Sequence, residues 1–109
     1  MLTNSDFLKG TLTTLILSLL DQNGKMYGYE ICQKTKTQTN NKINLTEGAI
    51  YPALHKLEKQ GLIVSSKLKV NGRTRKYYAI SSPEKQTVND QILALQQFMN
   101  SLSLVIKPA

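Results

Sequence analysis

Cations are the side chains of this sequence that stand close enough together to act as a group. Lys42, Lys56, Lys59, Lys67, Lys69, Arg73, Arg75 and Lys76 are eight of the 14 Lys and Arg residues, and only Glu47 and Glu58 lie among them. That stretch carries +6 of the formal +7. Charge of this density binds a polyanion: the phosphate backbone of nucleic acid first, an anionic membrane surface second. Catalytic constellations are missing. His55 is the sole histidine, Cys32 the sole thiol, and the seven carboxylates show no paired spacing on one helix face. There is no CxxC, no HExxH and no glycine-rich phosphate loop. The sequence therefore predicts no enzyme, no metal site and no cofactor. One cysteine closes no internal disulfide, suits a reducing compartment and reads as a small buried residue.

Positioning such charges requires a scaffold, and a chain of 109 residues is expected to supply one compact unit. Helix one is expected from about Ser5 to Gln22, capped by Asn4 or Ser5 and stopped by Gly24. Phe7, Leu8, Leu12, Leu15, Ile16, Leu19 and Leu20 recur along it at helical spacing, with Leu17 on a second face. The run is too short to span a membrane and lacks the basic flank of a secretory signal, so a cytoplasmic protein is expected. A second helix is read from Tyr27 to about Thr37, with Ile31 and Cys32 inward. The polar residues Thr37 to Asn41 form the turn after it.

Helix three begins after Leu45, with Thr46 as its cap and Glu47 near its positive end. Ile50, Leu54 and Leu57 make one buried seam. Gly48, Pro52, His55 and Lys59 lie opposite that seam, with Tyr51 and Lys56 at the margins. Pro52 removes an amide donor to the Gly48 carbonyl, and Gly61 ends the helix. Leu62 to Val70 and Arg73 to Ile80 then flank Asn71-Gly72, the dipeptide that a type I′ hairpin turn favours. Val64, Leu68 and Val70 are expected on the apolar face with Tyr78 and Ile80. Lys67, Lys69, Arg73, Arg75 and Lys76 put charge toward the tip. Three helices followed by a basic hairpin predict a mainly α fold with a small β-hairpin, a winged helix-turn-helix over residues 1–81.

A fourth helix is expected to open at Ser82-Pro83-Glu84. Val88, Ile92, Leu95, Met99, Leu102 and Ile106 follow at alternating steps of four and three, an a/d heptad seam on a polar helix. Residues 82–109 are accordingly expected to be a dimerisation helix, its seam meeting a second copy together with Leu8 and Leu12 of helix one.

Four segments resemble the PadR family of bacterial transcriptional regulators. They are Leu8-Lys9-Gly10-Thr11-Leu12, Met26-Tyr27-Gly28-Tyr29-Glu30-Ile31, the helix-three run from Glu47 to Glu58, and Gly72-Arg73-Thr74-Arg75-Lys76-Tyr77-Tyr78. The resemblance runs in order over about residues 5–80. It implies a winged-helix repressor that dimerises through helix one and its C-terminal helix. The single short C-terminal helix resembles the family's smaller subclass. Some small relatives bind planar drugs between tryptophans at the dimer centre. This chain has no tryptophan, and Phe98 and Met99 are the nearest substitutes.

The expected function is sequence-specific binding of double-stranded DNA by a homodimer, relieved by a small apolar or aromatic effector entering between helices one and four. Lys59, Lys67, Lys69, Arg73, Arg75 and Lys76 are expected on phosphates, with Thr46 and the amides beside it as a further phosphate site. Tyr51, His55 and Lys56 would approach base edges, on a face where Gly48 and Pro52 allow close approach. The alternative is a basic module that binds acidic partners or an anionic surface without reading sequence.

Overall fold

The computed structural model describes residues 7–108. Phe7 and Leu8 are helical, but the chain turns at residues 9–11, where Gly10 takes φ +88° and the Thr11 amide and hydroxyl donate to the Leu8 carbonyl. A continuous helix from Ser5 is thereby corrected, because a helix interior cannot hold a residue at that φ. The expected caps Asn4 and Ser5 lie outside the described residues. Helix α1 is Leu12–Asn23, with Ile16, Leu17, Leu19 and Leu20 buried. It ends at Gly24, whose amide returns to the Leu20 carbonyl.

A two-residue strand, β1 (Met26–Tyr27), follows and was not anticipated, since two residues carry no readable alternation. Helix α2 is Gly28–Gln38, opened by the Tyr27 amide donating to the Glu30 carboxylate at 3.1 Å. Asn40 and Asn41 then turn the chain at φ 52° and 65°, a conformation that asparagine tolerates better than most residues. Helix α3 is Glu47–Lys59, capped as expected by Thr46, whose hydroxyl accepts from the Ala49 amide at 3.2 Å. At its far end the Gly61 amide donates to Glu58 and the Leu62 amide to Leu57. That pair of bonds around a residue at φ +78° is a Schellman stop.

Strands β2 (Ile63–Val70) and β3 (Arg73–Ile80) pair antiparallel from Val70↔Arg73 to Ile63↔Ile80. Asn71 and Gly72 take φ 51° and 76° between them, both positive as a type I′ turn demands. β1 joins the other edge of β3, giving the sheet order β1-β3-β2. The expected apolar face is corrected. Ile63 enters the core opposite Ile80, while Val64, Leu68 and Val70 lie on the outer face opposite Ala79, Arg75 and Arg73, away from Tyr78 and Ile80, and Val64 is 53% exposed there. The inner face then continues through Ser65, Tyr78 and Met26.

Ser82–Glu84 form a single 3-10 turn after Ser81, not the first turn of an α-helix capped by Ser82. Helix α4 is Lys85–Val105. Two seam residues are also corrected. Val88 is fully buried in the chain's own core, and Ile106 lies past the end of α4 with extended backbone. Ile16, Leu17, Ile31, Ile50, Leu54, Leu57, Ile63 and Val88 are the fully buried side chains. Each stabilises the fold by about 1.5–3 kcal/mol through lost contact with water. The architecture is α+β, a winged helix-turn-helix of four helices and a three-stranded sheet among the described residues.

Candidate nucleic-acid interface

Burial divides α3 into two faces, as its spacing requires. Ile50, Ala53, Leu54 and Leu57 are buried, while Gly48, Tyr51, Pro52, His55, Lys56 and Lys59 are exposed, as is the cap Thr46. The outward face thus carries an imidazole, two ammoniums and a phenol, and its acids, Glu47 and Glu58, sit near its two ends.

Tyr51 is held from below. Its ring crosses the start of α2 so closely that a Cβ on Gly28 would stand 3.0 Å from the Tyr51 hydroxyl and 3.1 Å from Cζ. The same hydroxyl leans toward Glu47 Oε1 at 3.5 Å. Burial first, then the Glu47 charge, push its pKa above the usual phenol value, so it stays a neutral donor. Cys32 beneath is likewise pushed up by burial and by Glu47. It is a buried thiol, in agreement with its reading as core.

Strand alternation sends neighbouring wing cations to opposite faces. Lys67, Lys69 and Arg73 are exposed. Arg75 lies on the outer face, half-buried, its guanidinium carbon 4.4 Å from the centroid of the Tyr27 ring. Tyr27 packs edge-on against Tyr77 at 5.3 Å and stacks with Tyr29 at 6.4 Å. This aromatic shelf escaped the sequence reading because it depends on β1. Lys76 lies on the inner face, 5.5 Å from the Tyr78 ring centroid and 3.7 Å from Glu58 Oε1. Five cations therefore reach the wing, but Arg75 and Lys76 are each held by a neighbour.

The residues expected to meet a second copy fall into two groups. Leu8, Ile92, Leu95, Met99 and Leu102 line an apolar groove of about 680 Å³ between α1, the end of α2 and α4, together with Phe7, Leu15 and Phe98. Leu12 packs on the core margin, Val88 is inside the core, and Ile106 is exposed beyond the helix. Across the root of that groove Gln91 Nε2 donates to Thr14 Oγ1 at 2.9 Å, tying α4 to α1. Among the described residues no cluster of His, Cys, Asp or Glu could hold a metal ion, and no helix is long and apolar enough to cross a membrane.

Residues 16–87 match the Transcriptional regulator PadR-like family. "Uncharacterized protein X" of Lysinibacillus sphaericus is 35% identical over 89 residues, 81% of each chain. A transcriptional regulator from Clostridium thermocellum superposes with a TM-score of 0.80 at 28% identity, over 94% of this chain and 99% of that one. Bacillus subtilis PadR, solved in complex with operator DNA, gives a TM-score of 0.63 at 28% identity over 74% of this chain. The match spans 47% of that longer protein.

Proposed function

The chain belongs to the PadR-like family of transcriptional regulators, which are not enzymes, and from that premise we propose that it is a homodimeric, sequence-specific DNA-binding repressor. Each copy seats α3 in the major groove and lays its wing on the neighbouring backbone. One observation carries this reading: the outward face of α3 and the wing present His55, Lys56, Lys59, Lys67, Lys69 and Arg73 together, while the opposite seam of α3 is buried. A basic helix whose apolar face is already committed to a core has nothing to insert into a lipid surface. The likeness to a relative solved on its operator supports the same geometry.

Dimerisation is supported by the apolar groove and by Phe98, Met99 and Leu102, which stand exposed on α4. A chain of this size leaves such a surface in water at a cost that a second copy removes. Residues 1–81 then form the DNA-binding unit and residues 82–109 the dimerisation segment, working in the cytoplasm on a near-palindromic operator. A small apolar or aromatic effector, seated in the part of the groove that the partner leaves open, relieves repression by changing the separation of the two wings.

The test is to incubate the purified protein with sheared genomic DNA, recover the bound fraction and sequence it. The reading predicts enrichment of a near-palindrome, with the protein's own upstream region among the recovered fragments. Equal recovery of all fragments, with equal binding to anionic vesicles, would favour a basic module that does not read sequence.

A further inference from the structure

We propose that Glu58 is a positioning residue that fixes the wing against the recognition helix and withholds Lys76 from the DNA backbone, giving up affinity for discrimination. The proposal rests on the DNA-binding reading above.

Glu58 stands near the C-terminal end of α3, on the margin that faces the sheet, and its carboxylate reaches both strands of the wing. Oε2 accepts from the Ser65 hydroxyl of β2 at 2.5 Å, and Oε1 stands 3.7 Å from Lys76 Nζ of β3. The first is short and charge-assisted, so it sets geometry. The second joins half-exposed groups and adds little to stability. Its consequence is electrostatic. Lys67 and Lys76 are directly opposed in the β2–β3 register, a like-charge pair that opposes strand pairing. Glu58 is the one carboxylate paired with either ammonium among the described residues.

A wing anchored in this way meets DNA at one inclination relative to α3, which is what reading bases at a fixed register requires. A Lys76 engaged by a carboxylate adds less to the sequence-independent attraction that every duplex shares. The first effect favours the correct site over the rest, and the second lowers affinity for correct and wrong sites alike.

The experiment titrates the full chain onto two fluorescent duplexes, the best site selected from a random pool and a scrambled copy, over a range of salt. Glu58→Gln keeps an acceptor for Ser65 and removes only the charge. It is expected to bind scrambled DNA more tightly and to steepen the salt slope by about 0.9 per protomer. Because both duplexes share that attraction, the ratio of selected to scrambled affinity should stay where it is. Ser65→Ala cuts the geometric link and leaves the charge, so it should lower the ratio about tenfold, the scale of one lost base contact, without changing the slope. In a Lys76→Gln background, Glu58→Gln should leave the slope where it was.

An unchanged slope in Glu58→Gln would overturn the proposal, as would the same steepening without Lys76. An unchanged ratio in Ser65→Ala would overturn the positioning of the wing. A parent protein with no salt-dependent binding to either duplex would instead sink the DNA-binding reading itself. The two failures are therefore told apart by the parent's own curve.

Discussion

Replacing Arg73 and Arg75 by alanine, singly and together, separates two jobs done by cations two residues apart. Arg73 is exposed beside the wing turn, whereas Arg75 is half-buried with its guanidinium over Tyr27. Each substitution occurs twice in a dimer. Losing one phosphate contact per protomer flattens the slope of log affinity against log salt by about 0.9 each, or about 1.8 in all. Over a fourfold rise in salt, from roughly 50 to 200 mM, that difference amounts to about 12-fold in affinity. Arg73→Ala should therefore weaken binding to every duplex at low salt, converge on the parent at high salt and leave the melting temperature unchanged.

Arg75→Ala should behave otherwise. It removes a cation–π contact that stabilises the fold by about 0.5–2 kcal/mol, which for a domain of this size lowers the melting temperature by several degrees. Its effect on the slope should be the smaller of the two, because Tyr27 already engages the half-buried guanidinium. Fluorescence anisotropy across four salt concentrations and a circular-dichroism melt measure both quantities. A double variant with the parent's slope would refute the phosphate assignment. If Arg75→Ala alone reproduced the whole slope change, the division of labour would be wrong.

Four further outcomes are expected. Leu54→Ala empties a fully buried site in the α3 seam and should cost about 2–5 kcal/mol in urea denaturation. Gly28→Ala places a Cβ 3.0 Å from the Tyr51 hydroxyl. The ring is half-exposed and can give by a few tenths of an ångström, so stability should stay within about 1 kcal/mol, helped by the helix preference of alanine. Discrimination between selected and scrambled duplexes should fall, and in a Tyr51→Ala background the Gly28→Ala substitution should have no further effect on it. Because burial raises the Cys32 pKa in the fold, its contribution is complete below the unfolded thiol's value of about 8.5 and declines as pH rises past it. Cys32→Ala should remove that part of the alkaline loss in a denaturation series. Met99→Asp puts a charge in the exposed seam of α4 and should convert a sedimenting dimer to a monomer that retains its helical spectrum.

Features that depend on the backbone of one or two residues were legible in the sequence. Thr46 caps α3, Asn71-Gly72 turns the hairpin and Gly61 stops the helix, because few other residue types satisfy those conformations. The α3 seam was legible for a different reason, since three apolar residues at helical spacing leave one way to bury them. What stayed hidden depends on partners distant in sequence. The run Leu62-Ile63-Val64 is apolar throughout, so alternation could not say whether Ile63 or Val64 turns inward. The register with β3 decides for Ile63. Gly10 sits inside a helical pattern of leucines that continues on both sides, and its positive φ breaks the helix there. Val88 opens a heptad whose spacing reveals a seam but not what covers it, and the chain's own core takes that first position. Arg75 and Lys76 were grouped as charge at a tip. Adjacent residues on a strand face opposite ways, and Tyr27 and Glu58 hold them on the two faces of the sheet.

In the proposed complex two copies hold their recognition helices at a fixed separation across one face of a duplex. Hydroxyl-radical footprinting of the protein on its selected site measures that directly. Two protected patches, symmetric about a near-palindrome with centres about 34–36 Å apart, are predicted. A single patch, or protection that drifts with the register of the fragment, would rule out that two-copy arrangement.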